Sequence, residues 1–245
     1  MSEKRVERLK LIFDSNVITG VDIFKLVLGV LRKMGLSERF SVKGASVAVR
    51  ELETIISRKK IWPSRVESNG MELTFGMLPA RSICFLEVAA RSFCAETDMQ
   101  EFAGVLVFND GFVQAWIYDV EYDYWQNAKD PMEYERLGRS YVDLPKKSNG
   151  LPAPLEQLEI DTSDNPGRVE LRSGYVEAIG RVMWLGELFW SRVGVKREIS
   201  CDLLKRQGFD VTDTRGVVKV VAGCEFNDIS TQDSQIIFRR ILFGV

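Results

Sequence analysis

The sequence of 245 residues contains no histidine. Without an imidazole, the chain cannot form Ser-His or Cys-His nucleophile pairs, a histidine general base, or zinc and iron sites with imidazole ligands. Cysteine is also scarce, with four residues and no Cys-x-x-Cys pair. A four-cysteine zinc site is therefore excluded as well, and we expect free thiols in a reducing compartment and no bound metal.

The common phosphate-binding motifs are missing too. There is no Gly-x-x-x-x-Gly-Lys loop and no Gly-x-Gly-x-x-Gly turn, and no lysine has an acidic residue two positions before it, as half of a restriction-type nuclease site would need. The formal net charge is −2, from 33 basic and 35 acidic residues, whereas proteins that bind nucleic acid usually have a basic excess. We expect no catalytic site of these kinds, no cofactor and no nucleic-acid partner.

Long hydrophobic runs are absent from the early part of the chain. Residues 1–10 alternate charged and apolar side chains, unlike a signal peptide. The most apolar early segment, residues 21–31, is interrupted by Asp22 and Lys25 and is shorter than the roughly 20 residues that cross a bilayer. The sequence therefore predicts a cytoplasmic protein without a membrane partner.

The first 60 residues are predicted to be helical. Residues 21–34 are apolar on most sides, which indicates a buried helix that ends at Gly35. A second helix is predicted over residues 45–59, because Val49, Leu52 and Ile56 fall on one helical stripe.

Strands are predicted to follow. Residues 71–77 alternate apolar and polar side chains, and residues 83–90 form an apolar run of strand length. Residues 105–108 and 112–118 flank Asn109-Asp110-Gly111, which predicts a hairpin; a helix through part of this stretch is the alternative.

A proline-rich connection divides the chain. Residues 145–168 hold four of the seven prolines, which indicates a long irregular segment between an N-terminal α+β region, residues 1–144, and a C-terminal helix-hairpin-helix region, residues 169–245. The two regions form either one domain or two.

The C-terminal region is predicted to begin with a helix over residues 173–193, whose buried face carries Val176, Ile179, Met183 and Trp190. A short helix over residues 196–207, a hairpin over residues 209–222 and a terminal helix over residues 231–243 follow. The fold class is therefore α+β, with N-terminal helices, a mainly antiparallel sheet, and a C-terminal helical region with a β-hairpin.

One stretch, residues 118–135, has a distinct chemical character, and we call it the acidic aromatic segment. Tyrosine and tryptophan alternate there with carboxylates, a composition typical of protein interfaces that attract a partner of opposite charge. The alternative is that the rings lie in the core and the carboxylates form an ordinary solvated face. The candidate partner-binding residues are Asp119, Glu121, Tyr122, Asp123, Tyr124, Trp125, Asp130, Glu133 and Glu135.

Four short strings also stand out, and packing and loop geometry are their simplest roles. They are Tyr124-Trp125-Gln126-Asn127, Asn165-Pro166-Gly167-Arg168, Met183-Trp184-Leu185-Gly186-Glu187 and Arg239-Arg240-Ile241-Leu242-Phe243-Gly244. With these strings, residues 119–245 resemble a family of bacterial immunity proteins encoded beside type VI secretion toxins. The resemblance implies a cytoplasmic protein that neutralises one toxin by stoichiometric binding, without a cofactor.

Three hypotheses follow for function. The leading one is an immunity protein that is not an enzyme and that binds a basic, cytoplasm-acting toxin, with a nuclease effector as one suitable class. The second is a non-catalytic adaptor or structural protein of a secretion or stress complex. The third is a hydrolase that uses only carboxylates, which would require a deep cleft with two facing acidic residues. The oligomeric state does not follow from the sequence.

Overall fold

A ten-stranded antiparallel sheet forms the centre of the computed structural model, which describes residues 6–90 and 96–244. Two further pairs of strands, β8 with β9 and β10 with β11, form separate short ribbons. The strands are β1 (Glu7–Asp14), β2 (Phe40–Val42), β3 (Ala45–Val47), β4 (Val66–Ser68), β5 (Met71–Leu78), β6 (Ile83–Ala90), β7 (Phe112–Asp119), β8 (Lys146–Ser148), β9 (Leu158–Ile160), β10 (Glu170–Leu171), β11 (Val176–Glu177), β12 (Val182–Leu185), β13 (Asp210–Thr214) and β14 (Val217–Val221).

The strand order in the large sheet is β13-β14-β12-β7-β1-β6-β5-β4-β2-β3. The sheet is continuous across the two predicted regions, because β7 of the first pairs with β12 of the second, with Ile117 opposite Val182. The helices are α1 (Gly20–Lys33), α2 (Val49–Lys59), α3 (Glu96–Leu106), α4 (Val120–Asn127), α5 (Pro131–Arg136), α6 (Glu187–Val193), α7 (Arg197–Arg206) and α8 (Gln232–Phe243).

Helices cover both faces of the sheet. One hydrophobic cluster joins the sheet to α1, α2 and α3, and a second joins it to α6, α7 and α8. Strand β1 contributes to both, because alternate side chains of a strand point to opposite faces: Leu9, Leu11 and Phe13 pack into the first cluster and Ile12 into the second. The α+β fold class is confirmed. Within the described ranges, no helix has the length and apolar character needed to span a membrane.

Several elements lie where the sequence places them. Helix α1 begins with a capping box, in which Thr19 and Asp22 satisfy each other's backbone N–H groups. The strands predicted at residues 71–77 and 83–90 are β5 and β6. The C-terminal hairpin is β13 with β14, and it turns through Arg215 and Gly216, both at positive φ as a tight two-residue turn requires.

The prediction that the first 60 residues are helical is wrong for β1, β2 and β3. In β1, charged Arg8 and Lys10 alternate with buried Leu9 and Leu11, which is the period of a strand. The second predicted helix begins at Val49 and not at residue 45, because β3 takes up the first positions. Residues 1–5 of this prediction lie outside the described residues.

The predicted hairpin at residues 105–118 is also wrong, and its alternative is confirmed. Val105 and Leu106 end α3, and only the second half, β7, is a strand. The side-chain amide of Asn109 donates a hydrogen bond to the carbonyl oxygen of Leu106 at 2.9 Å. Asn109 therefore hydrogen-bonds to the last turn of a helix. Gly111, at positive φ, precedes the first residue of β7.

The predicted helix over residues 173–193 is instead two short strands, β11 and β12, followed by α6. Two glycines explain the difference. A Cβ at Gly180 would lie 2.2 Å from the carbonyl oxygen of Ile117, and one at Gly186 would lie 2.8 Å from that of Phe112. Both glycines thus permit close contact with β7. The predicted positions Val176, Ile179, Met183 and Trp190 are buried, but Met183 lies in β12 of the large sheet and Trp190 lies in α6.

The proline-rich connection contains one pair of strands. Strands β8 and β9 pair in an antiparallel ribbon, with Lys147 opposite Glu159. A lysine–aspartate pair, Lys147 with Asp161 at 2.7 Å, lies beside it. The remainder of the connection runs without helices among the described residues.

Candidate partner-binding surface

The acidic aromatic segment leaves the sheet at the end of β7 and continues through α4 and α5. Two of its carboxylates cap these helices. Asp119 accepts a hydrogen bond from the backbone N–H of Tyr122 at 2.8 Å, and Asp130 accepts one from that of Met132 at 2.9 Å. Asp119 and Asp130 are therefore N-cap residues, and a side-chain cap of this kind typically stabilises a helix by about 1 kcal/mol.

The aromatic rings of the segment run from a small core to the surface. Tyr134 is buried, Trp125 is half-buried, and Tyr124 is exposed. Their ring centroids are 4.9 Å apart for Tyr124 and Trp125, and 4.8 Å apart for Trp125 and Tyr134. Tyr134 and Trp125 pack with Ile160 in a hydrophobic cluster separate from the two main ones. The rings are thus divided between a local core and solvent.

Charged groups surround these rings. The guanidinium of Arg139 lies 4.3 Å from the centroid of the Trp125 ring, within the range of a cation–π contact. Glu121 and Glu135 are exposed, and Glu133 is half-buried. The hydroxyl of Tyr141 donates a hydrogen bond to Glu135. Negative charge is therefore available at the surface of α4 and α5.

Asp123 differs from the other carboxylates of the segment because it faces the sheet. Burial is the largest of the effects that together bring the pKa of its carboxyl up to about 6; Glu87 also raises this pKa, while Lys10 and Arg8 lower it. Glu87 itself accepts hydrogen bonds from Arg8 at 2.8 Å and from the hydroxyl of Tyr118 at 3.1 Å. Asp123 is therefore one member of a charge cluster on the sheet and not part of an exposed rim.

The cavity beside Asp123 bears on the carboxylate-hydrolase hypothesis. Glu7, Asp119 and Glu225 also line it, and its volume is about 20 Å³. A volume of this size holds about one water molecule, whereas a glycosidase holds a sugar ring between two carboxyl groups. This cavity is too small for that substrate class.

Tyr122 connects α4 to α8. Its hydroxyl lies 3.0 Å from the side-chain nitrogen of Gln235, a fully buried amide. A buried polar group of this kind needs a partner, so Tyr122 contributes to the packing of the C-terminal helix.

Two of the unusual strings contact each other directly. The side-chain oxygen of Gln126 accepts a hydrogen bond from the backbone N–H of Gly167 at 2.9 Å, and that of Asn127 accepts one from Val169 at 2.7 Å. Asn165 donates back to the carbonyl oxygen of Gln126 at 2.9 Å. These amides attach α4 to the end of the proline-rich connection.

A third string, which begins at Arg239, contacts the same end of the proline-rich connection. Arg239 is almost fully buried, donates to the carbonyl oxygen of Arg168 at 2.8 Å and pairs with Glu177 at 3.2 Å. Burial, and then the charge of Arg168, lower the pKa of the Arg239 guanidinium to about 10. Packing and loop geometry are thus what these strings provide, as predicted from their composition.

The structure brings to the segment several residues that the sequence analysis missed. An open groove of about 1400 Å³ lies between α4 and residues 227–232, at the start of α8. Periodicity does not connect these two parts of the chain. The sequence offered one signal, because Ile229 is an isolated apolar residue in a polar run. In the structure, Ile229 is 84% exposed. The other lining residues that were missed are Val6, Val120, Gln126, Leu137, Arg139, Asn165, Pro166, Asn227, Asp228 and Gln232.

The fold is that of an α+β protein whose antiparallel sheet carries helices on both faces. It is similar to the structure of the T6SS protein PA0821 of Pseudomonas aeruginosa, with a TM-score of 0.55 over 98% of this chain and 73% of that chain, at 11% sequence identity. At this identity, the likeness shows a common fold. No protein-family model matches the chain, and no curated protein sequence matches it.

Proposed function

We propose that this protein is an immunity protein, which binds a cognate, basic bacterial toxin acting in the cytoplasm and blocks its activity. The observation that carries the proposal is the open groove along α4. It places exposed Glu121 and Tyr124 beside the half-buried ring of Trp125. Rings of this kind provide contact area at protein interfaces, and carboxylates attract a basic partner.

We further propose that the toxin is an effector of a type VI secretion system. The structural neighbour is named as a protein of such a system, and the resemblance of residues 119–245 to immunity proteins points the same way. A nuclease is a suitable effector class, because a protein that holds phosphate is commonly basic. The same neighbour also supports the second candidate, an adaptor of a secretion complex, which would bind its partner without blocking an activity.

Co-expression with the product of the adjacent gene tests the proposal. We expect that product to arrest growth when it is produced alone, and this protein to restore growth. The purified proteins should form a complex in which inhibition is complete at a stoichiometric ratio. Binding without restored growth would favour the adaptor, and no binding would refute both candidates.

Two ring variants test the binding surface. Tyr124→Ala and Trp125→Ala should each accelerate dissociation of the complex, by about 30-fold if the ring contributes about 2 kcal/mol as a hot spot. Tyr124→Ala should leave the melting temperature nearly unchanged, because Tyr124 is exposed, whereas Trp125→Ala should lower it, because Trp125 packs in the local cluster.

Phe108→Ala is the matched control for these variants. Phe108 is an exposed ring outside the groove, so its removal should leave the dissociation rate unchanged. If all three variants dissociate at the wild-type rate, the toxin is bound elsewhere on the protein.

A further inference from the structure

The groove beside α4 has two walls from distant parts of the chain. Glu121, Tyr124 and Trp125 form one wall, and residues 227–232 form the other. Its volume of about 1400 Å³ exceeds the roughly 300–1,000 Å³ that is usual for small-molecule sites. The volume of the groove is therefore large enough to hold a segment of polypeptide.

An apolar side chain is presented on the second wall. Ile229 is the most exposed of the large apolar side chains within the described ranges, at 84%. Asp228 precedes it and accepts a hydrogen bond from the backbone N–H of Ser230 at 2.7 Å, which fixes the turn that carries Ile229. Leu137, which is also exposed, lines the same groove. A partner that reaches this wall thus finds apolar surface.

The charges of the groove favour one sign of partner. Asp119, Glu121 and Asp228 line it, against a single described cation, Arg139. That guanidinium stacks over the ring of Trp125 at 4.3 Å, which shows that an aromatic wall of the groove accepts a cation. Tyr124, which is exposed beside Trp125, offers a second ring face of this type.

We infer that the groove binds a basic segment of the toxin, with an apolar side chain of that segment packed against Ile229. This inference rests on the proposed function, and it adds the far wall, residues 227–232, to the binding surface. The exposed carboxylate of Glu121 would attract the segment, and the apolar contact would slow its release.

Ile229→Ala tests the apolar contact without adding charge, with Ile61→Ala as its control. Both isoleucines are exposed, at 84% and 59%, so neither change should unfold the protein, and Ile61 lies outside the groove. With the purified product of the adjacent gene, Ile229→Ala should weaken binding by about 30-fold. Ile61→Ala should change it by no more than about twofold.

Crosslinking identifies the occupant. A photoreactive benzoylphenylalanine at position 229 should crosslink to the gene product, and the same group at position 61 should not. The crosslinked peptide should carry a net positive charge and at least one large apolar residue. In addition, Glu121→Lys should reduce the association rate, and Glu51→Lys, a reversal at an exposed position of α2, should not.

The outcomes separate the inference from the proposed function. If the wild-type protein inhibits the gene product but position 229 does not crosslink, or crosslinks to an acidic stretch, the inference is wrong and the proposed function stands. The same holds if Ile229→Ala binds like the wild type. If the wild-type protein does not bind the gene product, both are wrong.

Discussion

The stretch from β12 to α6 and the stretch from α4 to α5 have similar aromatic content and different environments. In the first, Trp184, Phe189 and Trp190 are all buried, Trp184 in the first core cluster and the other two in the second. In the second, Tyr134 is buried, while Tyr124 is exposed. The difference follows from position, because β12 pairs in the middle of the sheet, whereas α4 and α5 lie beyond the end of β7 and pack on a small cluster of their own.

This comparison shows that aromatic residues serve two separate purposes in one chain. Where the sheet surrounds them, their removal should lower the stability of the fold. Where they line an open groove, their removal should mainly lower the affinity for the proposed partner. The predictions below test this distinction, first on the fold and then on the surface.

Met183→Ala should have the largest effect on the fold. Met183 is fully buried in the second core cluster, and removing such a side chain typically lowers the free energy of unfolding by about 2–5 kcal/mol. Chemical denaturation measures the change. Met132→Ala is the control, because Met132 is 72% exposed on α5, and it should change stability by no more than about 0.5 kcal/mol. Equal losses for the two variants would contradict the assignment of β12 to the core.

Gly180→Ala should have the next largest effect. The added Cβ would lie 2.2 Å from the carbonyl oxygen of Ile117. Overpacking of this kind typically lowers stability by about 1–3 kcal/mol, because neighbouring atoms must shift. Gly29→Ala is the matched change within α1, where a Cβ meets no atom within 4 Å. It should stabilise the protein by about 0.5–1 kcal/mol. A stabilising Gly180→Ala would show that the backbone at residue 180, just before β12, does not approach β7 so closely.

Asp123 should make stability depend on pH. Burial raises the pKa of its carboxyl to about 6 in the folded protein, so the folded state binds a proton more tightly than the unfolded state. The free energy of unfolding should therefore fall as the pH rises from about 4 to about 6, and the charged carboxylate should destabilise the fold above that range.

Asp123→Asn removes this dependence. Relative to the wild type, the variant should gain on the order of 1–2 kcal/mol between pH 4 and pH 7. Denaturation curves of both proteins at several pH values measure the difference. A difference that stays constant with pH would show that Asp123 titrates normally.

Removal of surface charge should have the smallest effect. Glu121→Gln combined with Glu133→Gln should slow association with the proposed toxin by about threefold at low salt, and by less at physiological ionic strength, where charges are screened over about 8 Å. The control pair, Glu51→Gln with Glu198→Gln, lies at exposed positions outside the groove. Stopped-flow association rates that fall equally for both pairs would indicate a general effect of net charge.

The periodicity of the sequence predicts much of the fold, but it fails where two signals compete. The glycine at position 35 and the alternation in β5 predict their elements correctly. The spacing of Val176, Ile179 and Met183 also suits a helix, and only the close contact of Gly180 with β7 explains why the chain between β11 and β12 is not helical there. For β1, the alternation of Arg8 and Lys10 with leucine was present in the sequence but short.

The candidate site could be predicted only in part. Asp130 followed by Pro131 is a typical helix start, so its capping role could have been inferred from the sequence. The raised pKa of Asp123 could not, because it depends on burial in the folded chain and on the charges of Lys10 and Glu87, which lie on strands far away in the sequence. The far wall with Ile229 likewise becomes part of the site only through tertiary structure.

The position of β7 in the sheet has a consequence for synthesis on the ribosome. One edge of β7 can pair with β1 as soon as both strands have emerged, but the other edge stays unpaired until β12 has been synthesised. About 60 residues separate the end of β7 from the start of β12, and at ~5–20 residues per second their translation takes roughly 3–12 s. During that time the backbone N–H and C=O groups along this edge are open to pairing with other chains. The centre of the finished sheet is thus its most vulnerable part while the nascent chain is still being made.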